Sequence, residues 1–352
     1  MELRSEPVEV PDYHAAVEEF FERGWTDGLP VVPPTDELIA ATIAASGRAP
    51  QEELGDVPPR HGVATVETVA INAVMAGCKP EYFPVVLAAV EALLDPHHNL
   101  NGVNTTTHNC QPLIVVSGPI ARAIGMNSAE GVFGAGYRAN GTIGRAISLI
   151  RWNLGGSVPG QVDRSTLSHP GRWSYCIAES DESPWQPFHA DRGLPPEVSG
   201  VTVFSGEAPH SVLAYGEPEE VVHALGASMA TPGSNNASGL GETLVVINPY
   251  IAQRFAAAGW SKDDIKEAIW KKAHQPAGQI RKSGALTRDV VRRHWPDWMK
   301  ALDDDELAPL VERPDQIHVV IAGGKTYFSA WVPGWGYLGG MAVTRPVAAV
   351  QV

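Results

Sequence analysis

The sequence predicts a soluble, acidic α/β protein built from two similar halves. Three observations carry this. Short apolar runs of strand length alternate with amphipathic helical segments, glycine- and proline-rich turns separate them, and one helix–polar loop–strand–helix unit occurs twice. At 352 residues the chain can form two domains or one large core. Hydrophobic residues make up 44% and charged residues 19%, a globular rather than a disordered balance.

Taken in order, the first predicted element is an amphipathic helix from Asp12 to Arg23, with Val17, Phe20 and Phe21 on one face and Gly24 at its end. Trp25–Pro34 is extended, because Pro30, Pro33 and Pro34 exclude a helix. Thr35 caps a second helix that stops near Gly47. Thr65 caps a third, closed by Gly77, and Pro80 opens a fourth that runs to Leu94. A Thr/Asn loop then leads into the buried strand Leu113–Val116. Pro119 begins a short helix, and a glycine-rich loop leads to a longer one over 140–153. Further strands are predicted at 174–178, 201–204, 243–247 and 317–321, and further helices at 218–230, 250–258, 262–273 and 287–293. Ser261 and Asp264 form a capping box for the 262–273 helix.

The repeat gives the domain organisation. Pro80-Glu81, a helix, the loop Asn104–Asn109, strand Leu113–Val116 and Pro119 correspond to Pro218-Glu219, a helix, the loop Ser234–Ser238, strand Leu244–Ile247 and Pro249. We divide the chain into an N-terminal helical arm (1–60), a first α/β half (61–205) and a second (206–352). An internal duplication packs such halves about a pseudo-twofold axis, and the paired polar loops are then expected to face one cleft.

Charge and cysteine content narrow the function classes. The net charge is −14 with no long basic run, which disfavours nucleic acid. Cys78, Cys110 and Cys176 have no paired spacing, no apolar leader is readable at the start, and no run is long enough for a membrane span. A reduced cytoplasmic setting is expected.

Four places have side chains suited to chemistry. Asn104-Thr-Thr-Thr-His-Asn-Cys110 puts consecutive polar side chains just before a buried strand. Here His108 suits acid/base work, Cys110 nucleophilic attack, and Thr106 and Thr107 substrate contact. Gly134–Thr142 precedes a helix, so Arg138 and Asn140 are candidates for holding an anion, although the spacing matches neither a dinucleotide nor a P-loop fingerprint. Asn235 and Asn236 have the donors and acceptors to bind an amide or carboxylate. At strand ends, Glu179 is a candidate general base and Lys325 a candidate anion contact. A metal set drawn from His97, His98, His108 and Cys110, joined by Glu179 or His189, lacks any established ligand spacing, so no metal ligand is assigned and the cofactor is left open.

Gly24-Trp-Thr-Asp-Gly-Leu-Pro-Val-Val-Pro-Pro34, Ala73–Tyr82, Arg138–Arg145, His169-Pro-Gly171, Glu179 and Ser234-Asn-Asn236 together resemble an uncharacterised bacterial family. Its members are similar to companions of small proteins bearing a selenocysteine-Gly-Ser-Cys motif. The motif is absent here, since Cys110 and Cys176 lack the Gly-Ser-Cys context. The resemblance implies a two-component thiol or selenol redox system and assigns no catalytic residue. The residues themselves lead to an enzyme acting on a small anionic or amide-bearing metabolite or xenobiotic. Hydrolysis or elimination with histidine acid/base catalysis is the expected reaction, and the expected assembly is a homo-oligomer. The alternatives are a subunit working with a thiol or selenol partner protein, or a cytoplasmic ligand-binding protein.

Overall fold

In a computed structural model, which describes residues 2–284, 296–335 and 340–348, the apolar periodicities assemble into an α/β fold. The predicted helix at 287–293 lies outside the described residues.

Asp12 caps α1 (Tyr13–Glu22) and Thr35 caps α2 (Asp36–Ala44). β1 (Glu53–Val57) and β2 (Gly62–Thr65) form a hairpin that leads into α3 (Val66–Ala76), which Gly77 closes in a left-handed conformation. A short 3-10 turn at Pro80–Tyr82 precedes α4 (Phe83–Leu93). The predicted Thr/Asn loop is partly helical, as α5 (Leu100–Thr105), because Asn99 at φ +52° caps Gly102 N through its side chain. There follow β3 (Gln111–Ser117), α6 (Pro119–Ala123), α7 (Arg138–Asn153), β4 (Cys176–Ala178), α8 (Phe188–Asp191) and β5 (Gly200–Gly206). The second half contains β6 (His210–Leu213), α9 (Pro218–Met229), α10 (Asn235–Gly239), β7 (Thr243–Ile247), α11 (Pro249–Ala257) and α12 (Lys262–Lys272). The small hairpin of β8 (His274–Pro276) and β9 (Leu307–Pro309) precedes β10 (Ile317–Ile321), β11 (Phe328–Val332) and β12 (Val343–Pro346).

Two four-stranded sheets result, ordered β12-β5-β3-β4 and β10-β7-β11-β6. In each, the strand after the polar segment lies inside the sheet. β3 pairs parallel with β4 and antiparallel with β5, and β7 pairs parallel with β10 and antiparallel with β11. The alternation of side chains along these strands sets the layers. Ile114 and Val116 pack against α3, α4 and α7, whereas Leu113 and Val115 face Leu244, Val246 and Val320 of the other sheet. Val245 and Ile247 pack on α9, α11 and α12. The order is helices, sheet, sheet, helices. Strands buried on both faces read as continuous apolar runs, which is why β3, β7 and β10 are legible in sequence.

The C-terminal strand departs from the expected division. β12 returns to the first sheet and covers the edge of β5, with Val343 and Val347 joining that half's core, so a cut at residue 206 does not separate the two sheets.

The N-terminal segment is bound to the first half at several points. Arg145 donates to Asp27 at 2.7 and 2.9 Å, Trp152 Nε1 donates to the Gly24 carbonyl at 2.8 Å, and Val32 N donates to Met75 O at 3.1 Å. Glu67 in α3 is buried, and its carboxylate accepts from Arg4 N, Ser5 N, Ser5 Oγ and Gln51 Nε2. Burial alone would raise its pKa, but these donors outweigh it and hold the group below its ordinary value. Glu67→Gln leaves a single acceptor oxygen for those donors. We expect a loss of about 2 kcal/mol and faster tryptic cleavage after Arg4, read by denaturant unfolding and limited proteolysis. Unchanged cleavage would show that the carboxylate does not hold the segment.

Candidate functional site

The polar residues before β3 are held by their own hydrogen bonds. Thr106 Oγ1 accepts from His108 N at 3.1 Å, and Thr107 O accepts from Thr166 N at 3.0 Å. Asn109 Oδ1 accepts from Ser165 Oγ at 3.2 Å and from Leu167 N and Ser168 N, each at 3.1 Å. The 165–168 segment is therefore docked on 107–109, and Ser168 takes φ +56°, a backbone conformation that a side chain disfavours.

The centre of this cluster is an imidazole–carboxylate pair. His108 Nε2 lies 2.7 Å from Glu207 Oε1, with the two side chains 20% and 28% exposed, so the pair is reachable from solvent. Glu207 directly follows β5, whose last residue pairs with Gln111, and its carbonyl accepts from Tyr175 OH at 2.7 Å. Its amide donates to Pro333 O at 2.8 Å. Behind the pair, Arg151 is 1% exposed; its Nε donates to Asn104 Oδ1 and its Nη1 to Gln111 Oε1, both at 2.8 Å. Burial pushes its pKa down to about 9, helped by the charge of Arg172 and opposed by Asp163. Arg172 itself lies 3.1 Å from Asp163.

Three buried polar atoms here have no hydrogen-bond partner among the described residues: His108 Nδ1, Arg151 Nη2 and Ser168 Oγ. A buried donor or acceptor without a partner is costly, and such atoms concentrate where a ligand or water completes the set. The tautomers follow from the partners that are present. The Glu207 carboxylate can only accept, which places the His108 proton on Nε2 and leaves a bare lone pair on Nδ1. His169 Nδ1 accepts from Gly171 N at 3.1 Å, so its proton sits on Nε2. Burial lowers the His169 pKa, opposed by a hydrogen bond to the Gly206 backbone and by the charge of Glu207, with His108 and Arg151 adding to the effect of burial. The ring is thereby held toward its neutral form, with the Gly206 backbone as its partner.

The second half reaches the same place through its own polar segment. Asn236 is buried; its Nδ2 donates to Gly241 O at 2.8 Å, and its Oδ1 accepts from Gly334 N at 3.1 Å. Asn235 Nδ2 donates to Gly334 O at 3.2 Å. Gly334 forms an antiparallel bridge with Gly206, and Trp335 packs with Val103 and Cys110. The two polar segments thus lie on either side of Pro333–Trp335. Nearby, His98 Nε2 is 3.4 Å from Ser205 Oγ, and burial pushes its pKa down to about 4. Glu242 Oε2 lies 3.1 Å from His318 Nε2 and accepts from Ala342 N at 2.5 Å.

Several sequence candidates have other positions or partners. Cys110 is fully buried, and burial pushes its thiol up to about 12, so it sits in the apolar cluster as a thiol rather than a nucleophilic thiolate. Asn235 and Asn236 hold the Gly334 backbone instead of presenting free amides. Thr106 supports the His108 turn, while Thr107 contributes its carbonyl. Arg138 is exposed and donates through Nε to Gly77 O at 2.9 Å. Asn140 is buried and reciprocally bonded to the Asn127 backbone at 2.8 and 3.0 Å. Lys325 pairs with Glu182 at 2.6 Å on the surface.

Glu179 N bonds Val116 O at the far end of the first sheet, about 20 Å along β3 from His108 at the strand rise per residue. There the Glu179 carboxylate accepts from Phe188 N at 2.7 Å and faces Lys262 at 3.9 Å. Lys262 also bonds Asp191 at 2.6 Å.

Sequence reasoning missed Glu207, Ser168, Arg151 and Tyr175, and met His169 only within the family resemblance. Arg151 had a signal: it falls four residues after Ile147 on the apolar stripe of its helix, where a charge must be buried. Glu207 had none, since it comes near His108 only through the pairing of β5 with β3. Among the described residues no group of three or more His, Cys, Asp or Glu side chains is arranged to hold a metal ion. No protein-family model matches the chain, and no curated protein does.

Two outcomes follow. In nitrogen-15 spectra the neutral form of His108 carries its proton on Nε2, and Glu207→Gln weakens that preference; an Nδ1–H tautomer in the wild type contradicts the assignment. Burial raises Glu179 to about 7 against the opposing charge of Lys262. Its folded-state pKa thus exceeds its unfolded value, so its contribution to stability declines as pH rises from about 4.5 to 7. Glu179→Gln keeps an acceptor for Phe188 N and flattens that decline, a gain on the order of 1–3 kcal/mol at pH 8 in urea unfolding. An unchanged pH slope rules the effect out.

Proposed function

We propose that this protein is an enzyme that cleaves a bond in a small anionic or amide-bearing metabolite or xenobiotic, by hydrolysis or elimination, with His108 as the general base. One observation carries the reading: the Glu207 carboxylate on His108 Nε2 at 2.7 Å, with Nδ1 buried and without a partner among the described residues. A carboxylate in this position fixes the tautomer, orients the ring and stabilises the imidazolium formed when Nδ1 takes a proton. That proton comes from a water in hydrolysis, or from a carbon next to an electron-withdrawing group in elimination. His169, held toward its neutral form, is the donor to the oxygen or nitrogen on which negative charge develops, exchanging its bond to the Gly206 backbone for one to the substrate.

The reading extends to the architecture. The common pairing of β3 and β7 with their neighbours supports an internal duplication in which two halves share one site, with residues 1–60 as an added arm over the first half. The halves have diverged in role. The first supplies His108 and His169, and the second supplies Glu207 together with Asn235 and Asn236, which hold the Gly334 backbone.

In a turnover screen of small carboxylic esters, amides and β-substituted acids, His108→Ala lowers kcat by about 10²–10⁴-fold on any substrate found while the far-ultraviolet circular dichroism is unchanged. With His169 required neutral, activity falls on the acid side only below the ordinary histidine value of 6.5, the direction of its shift. Full activity in His108→Ala defeats the proposal.

A further inference from the structure

We propose that the first half carries a second binding site, a cavity beneath the N-terminal segment that takes a small apolar molecule without an anionic group. The cavity has a volume of about 470 Å³, within the range of about 300–1,000 Å³ usual for small-molecule sites. It lies among residues 3–10, α1, α2 and α3, and no residue of the His108 cluster lines it. Elements that served only to pack on one another would close a space of this size. Two sets of bonds fix its walls instead. Glu67 accepts from Arg4 N at 3.0 Å and Ser5 N at 2.8 Å, which ties the N-terminal segment to α3. Trp152 Nε1 donates to Gly24 O at 2.8 Å and Asn153 Nδ2 to Trp25 O at 3.1 Å, which sets the backbone of Trp25. The lining rings of Phe20 and Trp25 meet edge to face, 5.6 Å between centroids. Val8, Val10 and Trp25 line the cavity and stay more than a third exposed, so its apolar wall is reachable from solvent.

Charge and hydrogen-bonding capacity select the occupant. Among the described residues, Glu6, Glu19 and Asp36 line the cavity and no Lys, Arg or His does. Glu19 is paired with Arg23 at 2.6 Å, whereas no ion pair among the described residues matches Glu6 or Asp36. An anionic group would therefore meet carboxylates of its own sign. Asn153, another lining residue, commits its Nδ2 to Trp25 O and to Asn72 Oδ1 at 2.8 Å, which leaves its Oδ1 as an acceptor. The occupant is an aromatic or branched hydrocarbon body bearing at most one neutral N–H or O–H donor.

The test is a fluorescence titration of the full chain with N-phenyl-1-naphthylamine and with 8-anilinonaphthalene-1-sulfonate, the same ring system carrying an anion. Saturable binding of the neutral probe is expected, with the sulfonate at least about tenfold weaker. The bound neutral probe slows tryptic cleavage after Arg4 by about threefold or more, because it stabilises the closed position of that segment. Ala16→Phe fills the cavity from α1 and weakens the neutral probe by about tenfold or more. Glu6→Lys, on the exposed segment, strengthens the sulfonate by about threefold or more and leaves the neutral probe within about twofold. No saturable binding of the neutral probe, a sulfonate that competes for it with equal affinity, or binding unchanged in a folded Ala16→Phe overturns the proposal. Should Ala16→Phe not fold, the other two responses decide: a bound probe that leaves Arg4 cleavage unchanged, with a sulfonate indifferent to Glu6→Lys, also overturns it. So does a neutral-probe affinity that falls as the chain self-associates in sedimentation, which makes a second copy the occupant.

Discussion

The two sheets meet where Gly206, at the end of β5, bridges Gly334, just past the end of β11, and the rest of the site depends on how closely those two backbones approach. A Cβ on Gly206 would lie 2.6 Å from Val332 Cγ1, and one on Gly334 would run into the Glu242 carbonyl. Neither position accepts a side chain. Because they do not, Trp335 N reaches Ser205 O at 3.0 Å, and Glu207 N reaches Pro333 O at 2.8 Å. That second bond sets the backbone of the residue that orients His108. A contact between main chains of different halves thereby fixes the position of a side chain belonging to neither polar segment. The same close approach brings the Trp335 ring against Gly102, another position that leaves no room for a Cβ.

Electrostatics at this junction follow from burial without full pairing. Arg151 has neutral acceptors in contact and Asp163 only at a distance, while His98 and His169 are pushed toward their neutral forms. A purely structural polar core would match each buried donor with an acceptor, as the Asn140–Asn127 pair does. Here Arg151 Nη2 and Ser168 Oγ lack partners, and the strained backbone of Ser168 makes one of the three bonds by which the 165–168 segment is held to Asn109. Unpartnered donors together with local strain mark a place arranged for something other than stability.

The elements legible in sequence were those whose pattern repeats over a long enough span. Strands β3, β7 and β10 are apolar on both faces, and α2, α3 and α12 carry caps at the expected residues. β1, β2, β6 and β12 escaped because edge positions mix exposed and buried residues without alternation: Glu53, Gly55 and Asp56 give no strand signal, nor do His210 and Ser211. At the site, His108 stood out because a run of polar side chains before a buried strand is unusual in itself. Cys110 looked equally reactive, and nothing local distinguishes a thiol that will be enclosed by Val103 and Trp335 from one that will face a cleft. Glu179 is a candidate from its place at a strand end, but the parallel pairing of β3 with β4 puts a residue before one strand and a residue after the other at opposite ends of the sheet.

That separation gives the two ends of the sheets different work. At the Glu179 end, Ser180 N bonds Ile321 O at 2.7 Å, and Lys262 from the second half is gripped by Asp191 and the Gln186 carbonyl. The Lys262–Asp191 ion pair there links the halves. At the His108 end, the link is made by backbone and by the neutral amides of Asn235 and Asn236. A protein that joined its halves with ion pairs at both ends would have paired Arg151 and neutralised Glu207. Making one junction electrostatic and the other out of peptide groups leaves Arg151 in contact with neutral acceptors and the His108–Glu207 pair 20% and 28% exposed.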